Sequence, residues 1–179
     1  MSWESSIKGF KSYLQIERSL SDNSVQAYIR DIKKFANYAI PLKLNELKIQ
    51  RENISDFLAE LKNDGIAARS QARIISGIKA FYKYLIIENY IKHDPTELIE
   101  SPKVGFKLPD TLSLIEIDKL ISAVDLSNKQ GERNRAILET LYSCGLRVSE
   151  LTNLKLSNIY FNEGYLKVIG KGDKERLAP

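Results

Sequence analysis

Through the first hundred residues apolar side chains return every three or four positions, and that period confines this part of the chain to helices packed on one another. Trp3, Ile7, Phe10 and Leu14 lie at helical spacing. So do Val25, Tyr28, Ile29, Ile32, Phe35 and Ala36, and then Ile54, Phe57, Leu58 and Leu61 ahead of Gly65, which predicts a helix end there. A fourth run, Ile74, Ile75, Ile78, Phe81, Tyr82, Leu85 and Ile86, is the most strongly periodic. Four amphipathic helices with short connections predict a compact helical domain over 1–101.

After that run the pattern breaks. Residues 94–100 read as one short helix, with Asp94 as N-cap and Pro95 in the first helical position. The stretch SPKVGFKLPDT then carries two prolines and a glycine without periodicity, which predicts a linker over 102–109. A second domain, 110–179, opens with a helix at Ser113, where Ser113 and Glu116 form a capping box and Leu112 and Ile117 a hydrophobic staple. A helix over 132–144 stops at Gly145, and a shorter one covers 147–155. The period then changes to that of strands: runs at 158–161 and 165–169 joined by Asn-Glu-Gly, and a third at 174–178 after GKGD. The expected fold is therefore mainly α, a four-helix domain followed by an α+β portion with a small antiparallel sheet. That second portion has barely begun its sheet at Pro179 and is expected to be incomplete.

The composition narrows the function classes. One cysteine, Cys144, leaves no disulfide framework and no Cys-based metal site, and one histidine, His93, leaves no His-rich zinc site and no His-based triad elsewhere. A reducing cytoplasm fits this usage, and no apolar run reaches the length of a membrane span. The net charge of +4 favours an anionic partner weakly, since it is spread as +2 on residues 1–101 and +2 on 102–179.

The candidate site residues lie in two groups. Arg147 stands in LETLYSCGLRVSEL among apolar neighbours, with Glu150 one turn further on. Such a guanidinium needs an anion, which is either the Glu150 carboxylate or a substrate phosphate. Lys171 lies between two glycines in a turn, as a solvated hairpin lysine or as one that reaches a phosphate or leaving group. GKGDK has the wrong glycine spacing for a phosphate-cradling loop and joins strand to strand, which excludes nucleotide binding. In the helical half, Arg69 and Arg73 lie one turn apart at the start of the fourth helix, with Gln71 between them, Ser70 as its expected cap and Lys79 and Lys83 beyond. Asn23, Ser24 and Arg30 repeat the theme on the second helix. Each set is either a solvated charged face or a seat for DNA phosphates. His93 reads as a loop residue, and Tyr142 and Cys144 as core.

CGLRVSEL followed by IGKGDKERLAP resembles the first part of the catalytic domain of tyrosine recombinases, the phage integrase family, of the XerC/XerD type. The segments NSVQAYIRDIKKF, AARSQARIISGIKAFYKYL and DPTELIESPK resemble that family's N-terminal core-binding domain, which is SAM-like. The resemblance covers essentially the whole chain, and the two motifs as a pair are highly specific. It implies a site-specific recombinase that cuts DNA through a tyrosine nucleophile, forming a 3′-phosphotyrosine and freeing a 5′-hydroxyl, in chromosome dimer resolution and segregation or in mobile-element integration. By the same resemblance Arg147 stabilises the charged transition state, Glu150 orients it, and Lys171 is the general acid toward the leaving oxygen.

The family pattern continues with a His-x-x-Arg motif, a further His or Trp, and the tyrosine, and none of these matches here. The expectation is a chain that binds DNA without cleaving it, with a non-catalytic regulator derived from a shortened recombinase as the alternative. DNA contacts are expected at Ser24, Arg30, Arg69, Gln71, Arg73 and Lys79. No metal and no cofactor is implied. The implied partners are a double-stranded recombination site, other recombinase subunits in a tetramer on paired sites, and a DNA translocase. The implied setting is the cytoplasm and nucleoid of a prokaryote.

Overall fold

The structure is a computed structural model that describes residues 2–105, 108–170, 172 and 174–179. The chain divides between Lys107 and Leu108 into two compact units. Among the described residues no helix is long and apolar enough to cross a membrane.

The first unit contains four helices: α1 (Trp3–Ile16), α2 (Asp22–Ala39), α3 (Arg51–Asn63) and α4 (Ala68–Ile87). Each periodic run becomes the buried stripe of one of them. Phe10 and Leu14 of α1, Ile32 and Phe35 of α2, Phe57 and Leu61 of α3, and Ile78, Phe81 and Leu85 of α4 meet in one core. The ends follow local chemistry: the Ser2 side chain accepts from the Ser5 amide before α1, and Gly65 takes a φ of 74° past the end of α3, a left-handed conformation that glycine adopts without strain. Two carboxylates are buried in this unit. The Glu46 carboxylate accepts from the Ser6 hydroxyl at 3.1 Å, and the Asp31 carboxylate accepts from Arg73.

Two sequence-based expectations fail in this unit. Ser70 does not cap α4, because the helix begins at Ala68 and Ser70 already sits in its first turn, its amide bonded to the Ala67 carbonyl. Residues 94–100 form turns and no helix. The Asp94 carboxylate accepts both the amide and the hydroxyl of Thr96, at 2.7 and 2.6 Å. The bond to the Thr96 amide is the one an N-cap makes, so Asp94 caps the segment as expected. Beyond it the chain closes only the turns from Asp94 to Glu97 and from Thr96 to Ile99 and does not propagate into a helix.

The second unit contains α5 (Leu114–Ser122), α6 (Gly131–Cys144), α7 (Val148–Thr152), a 3-10 turn at Leu156–Asn158, and strands β1 (Ile159–Tyr160), β2 (Tyr165–Ile169) and β3 (Glu175–Ala178). The capping box at Ser113 is formed, with the Ser113 amide donating to Glu116 at 2.8 Å. The strands make an antiparallel meander in the order β1-β2-β3, with Val168 opposite Arg176 and Leu166 opposite Ala178. A small core of Leu146, Val168 and Ala178 joins the α6–α7 turn to the sheet. Tyr142 is half exposed rather than core, because among the described residues α6 buries only Gly131.

Candidate functional site

Arg147 occupies the N-cap position of α7, directly after Gly145 has ended α6 with a φ of 56°. The left-handed glycine turns the chain so sharply that α7 begins three residues later. One turn into α7, Glu150 folds back on its own cap: its carboxylate accepts the Arg147 amide at 2.8 Å and the Arg147 guanidinium at 2.9 Å.

The two partners differ greatly in exposure. The Glu150 side chain is 1% exposed, whereas that of Arg147 is 67% exposed. The expectation of a guanidinium flanked by core on both sides is therefore half met, since Leu146 is buried but Val148 begins α7 facing solvent. Arg147 has its protein anion, and most of its donor fork still faces outward.

A second cation reaches the same carboxylate from β3. The guanidinium of Arg176 donates to Glu150 Oε2 at 2.9 Å and to the Gly145 carbonyl at 3.2 Å. Strand alternation explains why: Arg176 and Ala178 share the inward face of β3, whereas Glu175 and Leu177 face out. In the sequence Arg176 stands inside IGKGDKERLAP with nothing nearby to mark its partner. Its partner lies 26 positions away.

The Arg176 hydrogen bond, and then the Arg147 amide, hold the Glu150 carboxyl at about 2, well below its ordinary 4.5, against burial that pushes it up. A carboxyl whose folded pKa lies below its unfolded one stabilises the fold above the unfolded value. That contribution fades as pH falls from about 4.5 toward about 2. Glu150→Gln is expected to be less stable at neutral pH and to lose less stability on acidification. Denaturant midpoints near about pH 7 and about pH 3 measure this, and an unchanged acid loss would assign it to other groups.

Lys171 lies outside the described residues, between β2 and β3 in sequence. In the first unit, the starts of α2 and α4 meet. Ser24, Ala27 and Tyr28 of α2 line a cleft of about 220 Å³ with Asp31, Arg73 and Ser76. Arg73 bridges to Asp31 at 2.7 Å, its side chain half exposed and that of Asp31 buried. Burial pushes the Asp31 carboxyl up from its ordinary value, more than Arg73 pulls it down. The Gln71 amide donates to the Ile66 carbonyl at 2.7 Å, and the Ser24 hydroxyl pairs with that of Ser21 at 3.0 Å. Arg30 and Arg69 are exposed and Lys79 is half-buried. The six positions thus split: Ser24, Gln71 and Arg73 bond to protein partners, Arg30 and Arg69 are exposed cations, and Lys79 is a half-buried one. Among the described residues no group of three His, Cys, Asp or Glu side chains is placed to hold a metal.

Comparison with known proteins supplies the class. Residues 7–89 match the phage integrase N-terminal SAM-like domain, and residues 111–179 match the phage integrase family. The chain belongs to the phage integrase family, the tyrosine recombinases. It is 42% identical to tyrosine recombinase XerD of Staphylococcus aureus over 177 residues, 98% of this chain and 60% of that protein, and 41% identical to XerD of Staphylococcus haemolyticus over the same shares. It therefore spans about three-fifths of the length of these relatives. In fold it is similar to a lambda integrase dimer bound to a core site, with a TM-score of 0.78 at 22% identity, covering 100% of this chain and 49% of that one. It is also similar to the XerH recombinase bound to its DNA substrate, with a TM-score of 0.68 at 20% identity, covering 96% of this chain and 52% of that one.

Proposed function

We propose that this chain is the DNA-engaging part of a XerD-like site-specific recombinase, an enzyme that cuts and rejoins DNA through a 3′-phosphotyrosine intermediate in chromosome dimer resolution. The observation that carries this reading is Arg147: a mostly exposed guanidinium braced by a buried carboxylate, in a chain that matches both family domains. A guanidinium oriented before substrate arrives costs little reorganisation when charge develops on a phosphate. Its planar fork suits two phosphate oxygens. Lys171, by its place in the β2–β3 turn of the sequence, is assigned as general acid toward the leaving 5′-oxygen. Glu150 is a positioning residue for Arg147.

The nucleophilic tyrosine, the second arginine and the histidine of the family pattern match no residue of this sequence. Covalent catalysis cannot proceed without a nucleophile. The reading is therefore that a polypeptide of these 179 residues binds DNA and leaves it uncut. Its partners are a double-stranded recombination site, further recombinase subunits in a tetramer, and a DNA translocase, in the cytoplasm and nucleoid of a prokaryote. The test incubates the chain with nicked DNA carrying a XerD-type site. A shifted band in native gels with no covalent adduct in denaturing gels is expected. An adduct would place a nucleophile among the tyrosines present, and the absence of any shift would remove the DNA-binding reading.

The DNA face of the first unit is assigned to Arg69 and Arg73 at the start of α4, with Gln71 and Lys79, and to Ser24 and Arg30 on α2. Arg69→Ala is expected to flatten the plot of log affinity against log salt by about one unit, the effect of one lost phosphate contact. Arg73→Ala is expected to flatten it similarly and also to lower stability, because it strands the buried Asp31. An unchanged slope in both variants would take this face out of the interface.

A further inference from the structure

The geometry points to Arg176 as the positioning residue that sets Arg147, acting through the rotation of the Glu150 carboxylate. This inference rests on the reading of Arg147 as the phosphate ligand and adds a residue that reading did not contain. The Glu150 carboxylate has two oxygens with divided duties. Oε1 faces the Arg147 guanidinium at 2.9 Å, and Oε2 accepts both the Arg147 amide at 2.8 Å and Arg176 at 2.9 Å. The terminal torsion of a glutamate is broad, so a backbone amide alone leaves the plane of the carboxylate free to turn. A second donor on Oε2, arriving from another strand, fixes that plane and thereby aims Oε1 at Arg147.

Three features of the surroundings agree. Arg176 also donates to the Gly145 carbonyl, so one guanidinium ties β3 to the end of α6 and the start of α7. Gly170, just past the end of β2, lies on the Oε1 side, where an added Cβ would stand 3.3 Å from that oxygen. A side chain there would crowd the carboxylate, which would have to give by a few tenths of an ångström. The remaining charged groups of the adjoining cleft are Lys155 and the Lys167–Glu175 pair, and that pair neutralises itself at 2.8 Å. Arg147 and Arg176 are the cations bonded to Glu150 among the described residues. Of these two braces, Arg147 comes from the N-cap of α7 and Arg176 from β3, one residue past its first position Glu175.

The experiment uses the 179-residue chain in solution, with nitrogen-15 signals of the arginine side chains and the carbon-13 signal of the Glu150 carboxyl. In Arg176→Gln, rotation of the Arg147 guanidinium is expected to speed up by roughly tenfold, the scale of one charge-assisted hydrogen bond lost. The Glu150 carboxyl is expected to titrate at a higher pH, with the backbone amide pattern of the second unit retained. A role confined to folding would move the amide pattern and leave the Arg147 rotation of the folded fraction as it was. Unchanged Arg147 rotation and Glu150 titration in folded Arg176→Gln overturn the proposal. Should that variant not fold, Arg176→Lys decides. Its ammonium keeps the charge but lacks the planar fork, and an Arg147 as slow as in the unmodified chain then overturns the proposal. Adding DNA to the unmodified chain separates the two readings. Arg147 signals that ignore DNA count against Arg147 as phosphate ligand, while the Arg176 coupling stands on the measurements made without DNA.

Discussion

Arg147→Lys is expected to lower strand cleavage by about a hundredfold or more while changing DNA affinity by less than about threefold. The measurement is single-turnover cleavage of a suicide substrate, in a version that also carries the segment matching the rest of the XerD relatives. Lysine keeps the charge and can keep the ion pair with Glu150, so the fold loses little. What it loses is the planar pair of donors that the proposed contact with two phosphate oxygens requires. Affinity is hardly affected because one phosphate contact among many contributes little to binding. The same contact strengthens as charge builds on the phosphate, and so it matters most to rate. Arg147 has 67% of its side chain exposed, which fits a residue whose main partner arrives from outside. Loss of the fold in Arg147→Lys would instead make this arginine a structural element, and cleavage at the unmodified rate would remove it from the site.

The helices of the first unit were legible because a buried helix writes its contacts into its own sequence at a fixed period. Phe57 and Leu61 announce the core face of α3 whatever they touch. The helices of the second unit were legible for another reason. Among its described residues α5 buries nothing, so the signal there was the Ser113–Glu116 cap, a wholly local pairing. Arg147 with Glu150 was legible in the same way, three residues apart on one turn. Contacts that join distant segments left no such trace. Arg176 reaches Glu150 across 26 positions and Arg73 reaches Asp31 across 42, and in the sequence each arginine reads as a surface charge. The segment after Asp94 reads as a helix for the opposite reason: Asp94 followed by Pro95 is a good helix start and its carboxylate does cap the Thr96 amide, but a segment this short closes single turns at 95–98 and goes no further.

Phe81→Ala is expected to destabilise the first unit by about 3–5 kcal/mol, the cost of emptying a large aromatic site in a packed core. Phe81 is fully buried and its ring lies 5.4 Å from that of Phe10, 5.5 Å from Tyr82 and 6.0 Å from Trp3. These neighbours come from α1 and α4, so the cavity would open where two helices cross and could not be closed by moving one side chain. Set against a typical domain stability of about 5–15 kcal/mol, such a loss leaves the unit near its unfolding threshold at physiological temperature. DNA binding assigned to Arg69 and Arg73 on α4 would fall with it, though neither residue is altered. The chain has one tryptophan, Trp3, stacked on Phe81 with ring planes 14° apart, so its fluorescence reports this core alone. Urea titration followed at Trp3 is expected to show a large drop in midpoint for Phe81→Ala. The control is Leu120→Ala on α5, where the half-exposed side chain predicts a change within about 0.5 kcal/mol and an unmoved Trp3 midpoint. A Phe81→Ala midpoint as high as that of the control would mean that the aromatic cluster closes over the space, and that the core of this unit is held by its aliphatic residues.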